Sequence, residues 1–512
     1  MYRKILGVFI CILFFGASAT PCISRNIDDI NETFLQGSEV SSSNDGWPFF
    51  HYDLQNTGYS SSEAPDTHNI LWIHESYDQM ASPVVYEAKI YVGSMDGIVY
   101  CLDMYTGAQI WNYTTGGEIP VFSPAVVEGR VYVGSWDEYM YCLDAETGDK
   151  IWSHYIGDWI ESSPAIYNGR IYFGSYDRKV YCLEAETGDK IWDFATDYWV
   201  LTSPAIYNDR VYIGSFDGDL YCLDAETGDK IWNFTADDRI QSSSPCISNG
   251  KVYFGADCGN LYCLDAETGD KLWTFSTGGR IHSSPAVAYG CVYFGSEDSY
   301  AYCLDAETGD EIWSYSLGNQ IHTSPSVADD KVYIASMWSG AKICCLNAHT
   351  GYERWFYPIA AWSSPAIADG SVFFGCFNLY CFRDINPPDE PTITGPNSGK
   401  PGTSYTYTFT SVDPYGDDIA EYIVNWGHGQ DETLTGPFPS GSPATASHTW
   451  NLKGTYTIKA KAVDIYGDES GWGTFTVTIP RDKAINKPLL QFLQCHPYLF
   501  PLLQKLLQNL GL

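Results

Sequence analysis

The prolines of a recurring Ser-Pro dipeptide fall at Pro83, Pro124, Pro164, Pro204, Pro245, Pro285, Pro325 and Pro365, so the chain restarts one pattern every 40 or 41 residues. Eight tryptophans, Trp72, Trp111, Trp152, Trp192, Trp232, Trp273, Trp313 and Trp355, keep the same beat. A fixed period of this size signals a solenoid or a propeller, in which each unit buries its apolar face against its neighbours. With 39 Tyr, 17 Trp, 47 Gly and 26 Pro in 512 residues, the composition suits many short strands joined by tight turns, an all-β answer.

One unit reads as four strands: "SPAIY", a turn at Asn168-Gly169, "RIYFGS", a turn near Asp177, "VYCLEA", a turn at Glu186-Thr187-Gly188-Asp189, then "KIWDF". Asn-Gly is a strong hairpin signal because both of its residues must hold positive φ. The eighth unit stops short. After "LYCF" at 379–382 the chain turns to "RDINPPDEP", without the Thr-Gly-x-x-x-Trp element of the first seven units. A spare strand, "ILWIHES" at Ile70–Ser76, precedes the first Ser-Pro and is expected to complete the last sheet. Such closure removes exposed strand edges. The predicted fold is an eight-bladed β-propeller closed by an N-terminal strand, spanning 46–383.

The repeated "AETGDKIW" resembles the pyrroloquinoline-quinone-type propeller repeat, shared by quinoprotein dehydrogenases and by the lipoprotein of the bacterial outer-membrane assembly machinery. "GWPFFHYDLQNTGYS" at 46–60 resembles the lead-in segment of such repeats. The resemblance implies a propeller and leaves the chemistry open, because propellers host many functions. Beyond a Pro/Gly-rich boundary, residues 387–480 alternate apolar and polar positions and are expected to form an immunoglobulin-like β-sandwich. They resemble a polycystic-kidney-disease-type domain, with Trp426-Gly427-His428-Gly429 standing where that family carries a Gly-Asp-Gly turn and "GTYTIKAKAVD" matching its last-strand pattern. His428 departs from the family's Asp, which argues against calcium there.

In a four-stranded blade, turns 1–2 and 3–4 share one face of the disc, while turn 2–3 and connection 4–1 share the other. The first face is nearly constant and acidic, with "DAETGDK" at the 3–4 turns. The second face varies. Before each Ser-Pro stand Met80, Val121, Trp159 with Glu161, Trp199, Arg239, Arg280 with His282, His322 and Trp362. The 2–3 turns carry Met95, Trp136, Tyr176, Phe216, Glu297, Trp338 and Phe377. Large rigid aromatics with Arg and His are the residue types that dominate recognition surfaces. The predicted binding residues are therefore Trp136, Trp159, Glu161, Tyr176, Trp199, Phe216, Arg239, Arg280, His282, His322, Trp338 and Trp362.

No catalytic residue or metal site is assigned. His282 and His322 hold equivalent positions 40 residues apart and are read as paired lining residues, with a shared metal as the alternative. The aspartates of the 2–3 turns (Asp96, Asp137, Asp177, Asp217) are expected to cap those turns. Eight cysteines, Cys101, Cys142, Cys182, Cys222, Cys263, Cys303, Cys345 and Cys381, share one strand-three position and read as small buried residues too far apart to bridge. Cys246, Cys258, Cys291 and Cys376 break the repeat and could pair locally.

The expected function is an exported, non-enzymatic binding scaffold, monomeric, whose partner is an envelope protein or polysaccharide. The alternative is a quinoprotein dehydrogenase using pyrroloquinoline quinone (PQQ) and calcium or another metal. Some of those enzymes set an adjacent cysteine pair against the quinone, but in Cys344-Cys345 the second is the repeat's usual strand-three cysteine and the first replaces its Tyr, so the pair reads as structural; spacings locked at 40 or 41 leave no insertions to hold the calcium. Export follows from "MYRKILGVFICILFFGASAT", read as a signal peptide over 1–19 with a flexible segment over 20–45 behind it, so the location is extracytoplasmic, secreted or at the cell surface. A net charge of -35 repels polyanions and argues against nucleic acid. Asn31, Asn112 and Asn233 head glycosylation sequons. The tail, 481–512, carries leucines at helical spacing broken by Pro497 and Pro501 and is a candidate contact with a membrane surface or a partner.

Overall fold

A computed structural model describes residues 46–76, 78–119, 122–384, 387–414 and 416–480, together with 491, 492, 495 and 505. The signal-peptide reading, the segment 20–45, Asn31, Val121 and nearly all of the tail lie outside the described residues. No helix among the described residues is long and apolar enough to cross a membrane.

Every strand 1–2 turn uses left-handed backbone at both central residues, for example Asn168 (φ 50°) with Gly169 (φ 71°) and Asn208 (φ 50°) with Asp209 (φ 57°). That backbone matches the strand twist and folds each unit into an antiparallel meander. Among the described residues there are eight four-stranded sheets of this kind. In the last, Ile70–Glu75 pairs antiparallel with Asn378–Arg383, Ile73 opposite Tyr380 and Glu75 opposite Asn378. The innermost strands touch in succession from Val84–Tyr86 round to Ala366–Ala368, which touches Val84–Tyr86 again. The ring is closed by the N-terminal strand, as expected; its sheets are numbered here as blades 1 to 8 from Val84–Tyr86 onward.

One joint recurs between blades. At four junctions the strand-two tyrosine and the strand-four tryptophan of one blade donate to a single carbonyl in the next blade's 3–4 turn; at two others, Ala266 O accepts from Tyr212 alone and Ala348 O from Trp313 alone. Tyr91 Oη and Trp111 Nε1 reach Ala145 O at 3.2 and 3.0 Å, and Tyr172 and Trp192 reach Ala225 O at 3.0 and 3.2 Å. The turn glycine lies under the same indole: a Cβ on Gly228 would come within 2.7 Å of the Trp192 ring. At the seam the pattern holds. Trp72, on the borrowed strand, donates to Met104 O at 3.0 Å, and a Cβ on Gly107 would come within 2.6 Å of its ring. Blade 8 has no 3–4 turn, and Pro65 O substitutes for it, accepting from Tyr333 Oη at 2.7 Å and from Trp355 Nε1 at 3.4 Å.

The Ser of each Ser-Pro forms a belt around the axis. Backbone N–H groups of Ser123, Ser163, Ser203, Ser244, Ser284, Ser324 and Ser364 donate to the hydroxyls of Ser163, Ser203, Ser244, Ser284, Ser324, Ser364 and Ser82 in turn. Beside this belt the lead-in segment threads the channel. The amides of Val85, Val126, Ile206, Ile247, Val287 and Val327 donate to the carbonyls of Trp47, Pro48, Leu54, Gln55, Thr57 and Gly58, so this stretch satisfies the inward amides of six innermost strands. Asn56 Nδ2 donates to Pro204 O and Pro245 O, fixing the segment against the belt. Asp53 accepts from the Gln55 and Thr57 amides, and burial pushes its carboxyl up to about 6. His51 is buried beside it, and burial holds its ring down at about 4.

Thr392–Ile479 form two packed sheets of three and four strands around Tyr407, Phe409, Tyr422, Trp426 and Trp450. Arg383, last residue of the final propeller strand, joins them to the ring. It donates to Asp369 O at 2.7 Å and Asp417 Oδ2 at 3.2 Å and lies 3.8 Å from the centre of the Tyr466 ring.

Two outcomes follow for stability. Gly228→Ala will cost about 3 kcal/mol, combining left-handed strain with overpacking against Trp192, whereas Gly169→Ala, at an open turn with nothing within 4 Å, will cost about 1 kcal/mol. Denaturant unfolding compares them, and equal losses would contradict the stacking. For His51, the folded protein keeps the ring neutral down to about pH 4 while the unfolded chain protonates it near 6.5, so acidification across that window favours unfolding. Relative to His51→Asn, the wild type will lose on the order of 3 kcal/mol over that window; a difference independent of pH would contradict it.

Candidate functional site

Backbone bonds fix which loops meet. The 3–4 turn sits against its own blade's 1–2 turn, Ala185 N donating to Gly169 O and Ala225 N to Asp209 O, both within 2.9 Å. On the opposite face each 2–3 turn is tied to the connection that enters its blade. Tyr176 N donates to Trp159 O at 3.0 Å, Phe216 N to Trp199 O at 2.8 Å, Glu297 N to Arg280 O at 2.9 Å and Met337 N to Gln320 O at 3.0 Å. The variable loops therefore share one rim.

Across blades 2 to 5 the side chains on this rim form a continuous arc. Trp136 stacks on Trp159 at 4.7 Å and 14°, Trp159 meets Tyr176 edge-on at 5.5 Å, and Tyr176 meets Trp199 at 4.9 Å. Trp199 touches Phe216 at 5.3 Å, and the Arg239 guanidinium lies 4.7 Å above Phe216. Tyr198 stacks on the same Phe216 at 5.2 Å. Glu161 accepts from Tyr176 Oη at 3.0 Å, and burial raises its carboxyl above the usual range. Trp159 and Arg239 are exposed, and Trp136, Tyr176, Trp199 and Phe216 are half-buried. A second pair, Trp338 and Trp362, meets edge-on at 4.8 Å across blades 7 and 8, with Trp338 55% exposed.

Between these patches the wall is polar. His282 Nε2 lies 2.9 Å from Asp257 Oδ1 and its Nδ1 lies 3.4 Å from Glu297 Oε1, while His322 Nε2 lies 3.0 Å from the same Glu297 oxygen. The two imidazoles stand at 81° with centroids 4.9 Å apart. Burial, then the neighbouring His282, hold His322 below the ordinary histidine range. Arg280 is exposed beside them.

The structure thus brings the predicted residues into one rim, with two corrections. Met80 has no exposed surface; its amide donates to Cys376 O and its side chain packs in the core between blades 8 and 1. His282 is buried against two carboxylates rather than lining open space. Sequence reasoning missed Asp257 and Tyr198. Asp257 stands 40 residues before Glu297, at the same 2–3 turn position, and that register was the signal for it.

The turn aspartates act as caps: Asp96, Asp137 and Asp217 accept from the amides of Ile98, Tyr139 and Asp219, and with Asp177 they also accept strand-three tyrosine hydroxyls. The cysteines among the described residues are all free, including Cys246, Cys258, Cys291 and Cys376. Cys345 packs in the core between blades 7 and 8 and Cys344 in the core between blades 6 and 7. The pair thus points to opposite sides of its strand, an arrangement that does not fit a shared quinone face.

The family model for outer membrane protein assembly factor BamB, of the PQQ_2 type, matches residues 61–158, 137–261 and 216–400. No curated protein matches the chain. Among solved structures, BamB from Moraxella catarrhalis is similar at 18% identity and a TM-score of 0.53, covering 62% of this chain and 97% of that one. The quinohemoprotein alcohol dehydrogenase ADHIIG from Pseudomonas putida HK5 is similar at 15% identity and a TM-score of 0.58, covering 68% and 83%. The computationally designed Ika8 protein is similar at 17% identity and a TM-score of 0.56, covering 62% and 99%. These likenesses share the propeller fold, on which both an assembly factor and a dehydrogenase are built. With its matched segments running from residue 61 to 400, the chain belongs to the PQQ_2 family of outer membrane protein assembly factor BamB.

Proposed function

We propose that the protein is an exported, non-enzymatic recognition scaffold whose variable rim binds an envelope protein or polysaccharide. The observation that carries this reading is the unbroken arc Trp136–Trp159–Tyr176–Trp199–Phe216–Arg239, held on rigid backbone and partly open to solvent. Large aromatic and guanidinium groups, pre-positioned on tight turns, bind with little loss of side-chain entropy. The family description, an assembly factor, supports an envelope partner. The sandwich at 387–480 serves in this reading as a polycystic-kidney-disease-type spacer, and the tail as a second contact.

The opposite face is suited to solvation: its turns expose Glu146, Glu226 and Glu267 and its aspartates are used internally, Asp144 Oδ1 accepting from the Glu146 and Thr147 amides. Binding to envelope extract and to a glycan array checks the assignment. Trp159→Ala and Trp199→Ala will each weaken capture about tenfold or more without moving the thermal midpoint, and Glu146→Gln with Glu226→Gln will leave it unchanged. Capture that survives both tryptophan changes and depends on the acidic turns contradicts the reading, as does dye reduction with alcohols on addition of PQQ and calcium.

A further inference from the structure

We propose that His282, Glu297 and His322 form a binding site for a divalent transition metal, with zinc the fitting ion, on the rim wall of blades 5 to 7. One ligand atom from each lies within 4.8 Å of the other two. Tetrahedral zinc with bonds of about 2.0–2.1 Å sets ligand atoms about 3.3 Å apart. The distances from Glu297 Oε1 to His282 Nδ1 and His322 Nε2 are 3.4 and 3.0 Å, close to that spacing.

The supporting groups favour coordination. Asp257, its side chain 6% exposed, accepts a hydrogen bond from His282 Nε2–H at 2.9 Å, which fixes the ring and leaves the Nδ1 lone pair facing Glu297. His322 Nε2 is buried without a hydrogen-bond partner, 3.0 Å from Glu297 Oε1. Two imidazole nitrogens and one carboxylate oxygen are the donor set of zinc, nickel, cobalt and copper rather than of calcium or magnesium, which take oxygen ligands. Ring geometry assembles the cluster. His282 and His322 occupy one register position 40 residues apart, and Asp257 and Glu297 occupy another, so adjacent blades deliver all four to one wall. His322 is partly exposed and gives access from the rim. The site shares no residue with the aromatic arc of blades 2 to 5.

Calorimetric titration of the chelator-treated full chain with Zn²⁺, and the visible spectrum with Co²⁺, test the assignment. One equivalent is expected to bind at this site, with Co²⁺ giving the intense ligand-field bands of a tetrahedral centre. Glu297→Gln and His322→Ala will each weaken Zn²⁺ at least about tenfold, and Asp257→Asn about 10- to 100-fold. Should His322→Ala unfold, the volume-matched Glu297→Gln decides. Absence of Zn²⁺ binding by the wild type overturns the proposal. So does affinity unchanged in Glu297→Gln, or binding lost only with His428→Ala and His448→Ala, whose Nε2 atoms lie 3.0 Å apart in the sandwich.

Discussion

In four of the turns a single backbone carbonyl, that of Ala145, Ala185, Ala225 or Ala306, takes two donors from the preceding blade, a tyrosine hydroxyl and an indole N–H; Ala266 O takes the tyrosine alone and Ala348 O the indole alone, and in each the turn glycine admits the indole above it. Each element of the repeated "AETGDKIW" meets a condition of that joint. The alanine supplies the carbonyl, the glycine the left-handed turn and the space, and the tryptophan the donor and the apolar cover. A ring tolerates no weak joint, since a gap at one blade exposes strand edges and apolar faces on both sides. The seam shows the demand most clearly: there Met104 O, Gly107 and Pro65 O take the places that the repeat fills elsewhere.

With its joints fixed, the ring frees its other face. The 2–3 turns need only an aspartate cap and one backbone bond to the entering connection, so their remaining side chains are available for recognition. Phe216 can carry Arg239 and Tyr198 without disturbing the strands below it. The plug serves this arrangement from within the channel. It accepts from the innermost-strand amides Val85, Val126, Ile206, Ile247, Val287 and Val327, and a cavity of about 10 Å³ lies among Phe49, Asp53, Leu54, Asn56 and their neighbours in blades 3 and 4.

Much of this was legible in the sequence because repetition turns register into position. The period located the strands, the missing final Thr-Gly-Trp element identified Ile70–Ser76 as the borrowed strand, and the contrast between constant and variable turns separated the faces. What escaped lies where repetition ends. The segment 46–60 has no second copy, and its pairing partners, Val85 to Val327, are scattered across about 240 residues. Met80 occupies a rim position in register but the seam packs it inward, and the burial of His282 depends on Asp257 of the preceding blade, which no local pattern reveals.

Hydrogen exchange of the innermost-strand amides Val126, Ile206, Ile247, Val287 and Val327 addresses the account most directly, because their acceptors all lie in the N-terminal segment. Plugged and sealed as described, these five amides in separate blades will exchange slowly and together, opening with the same free energy as Cys381, paired to the borrowed strand through Trp72. Rapid or unrelated exchange among the five, with Cys381 still protected, would mean that the segment does not hold the channel.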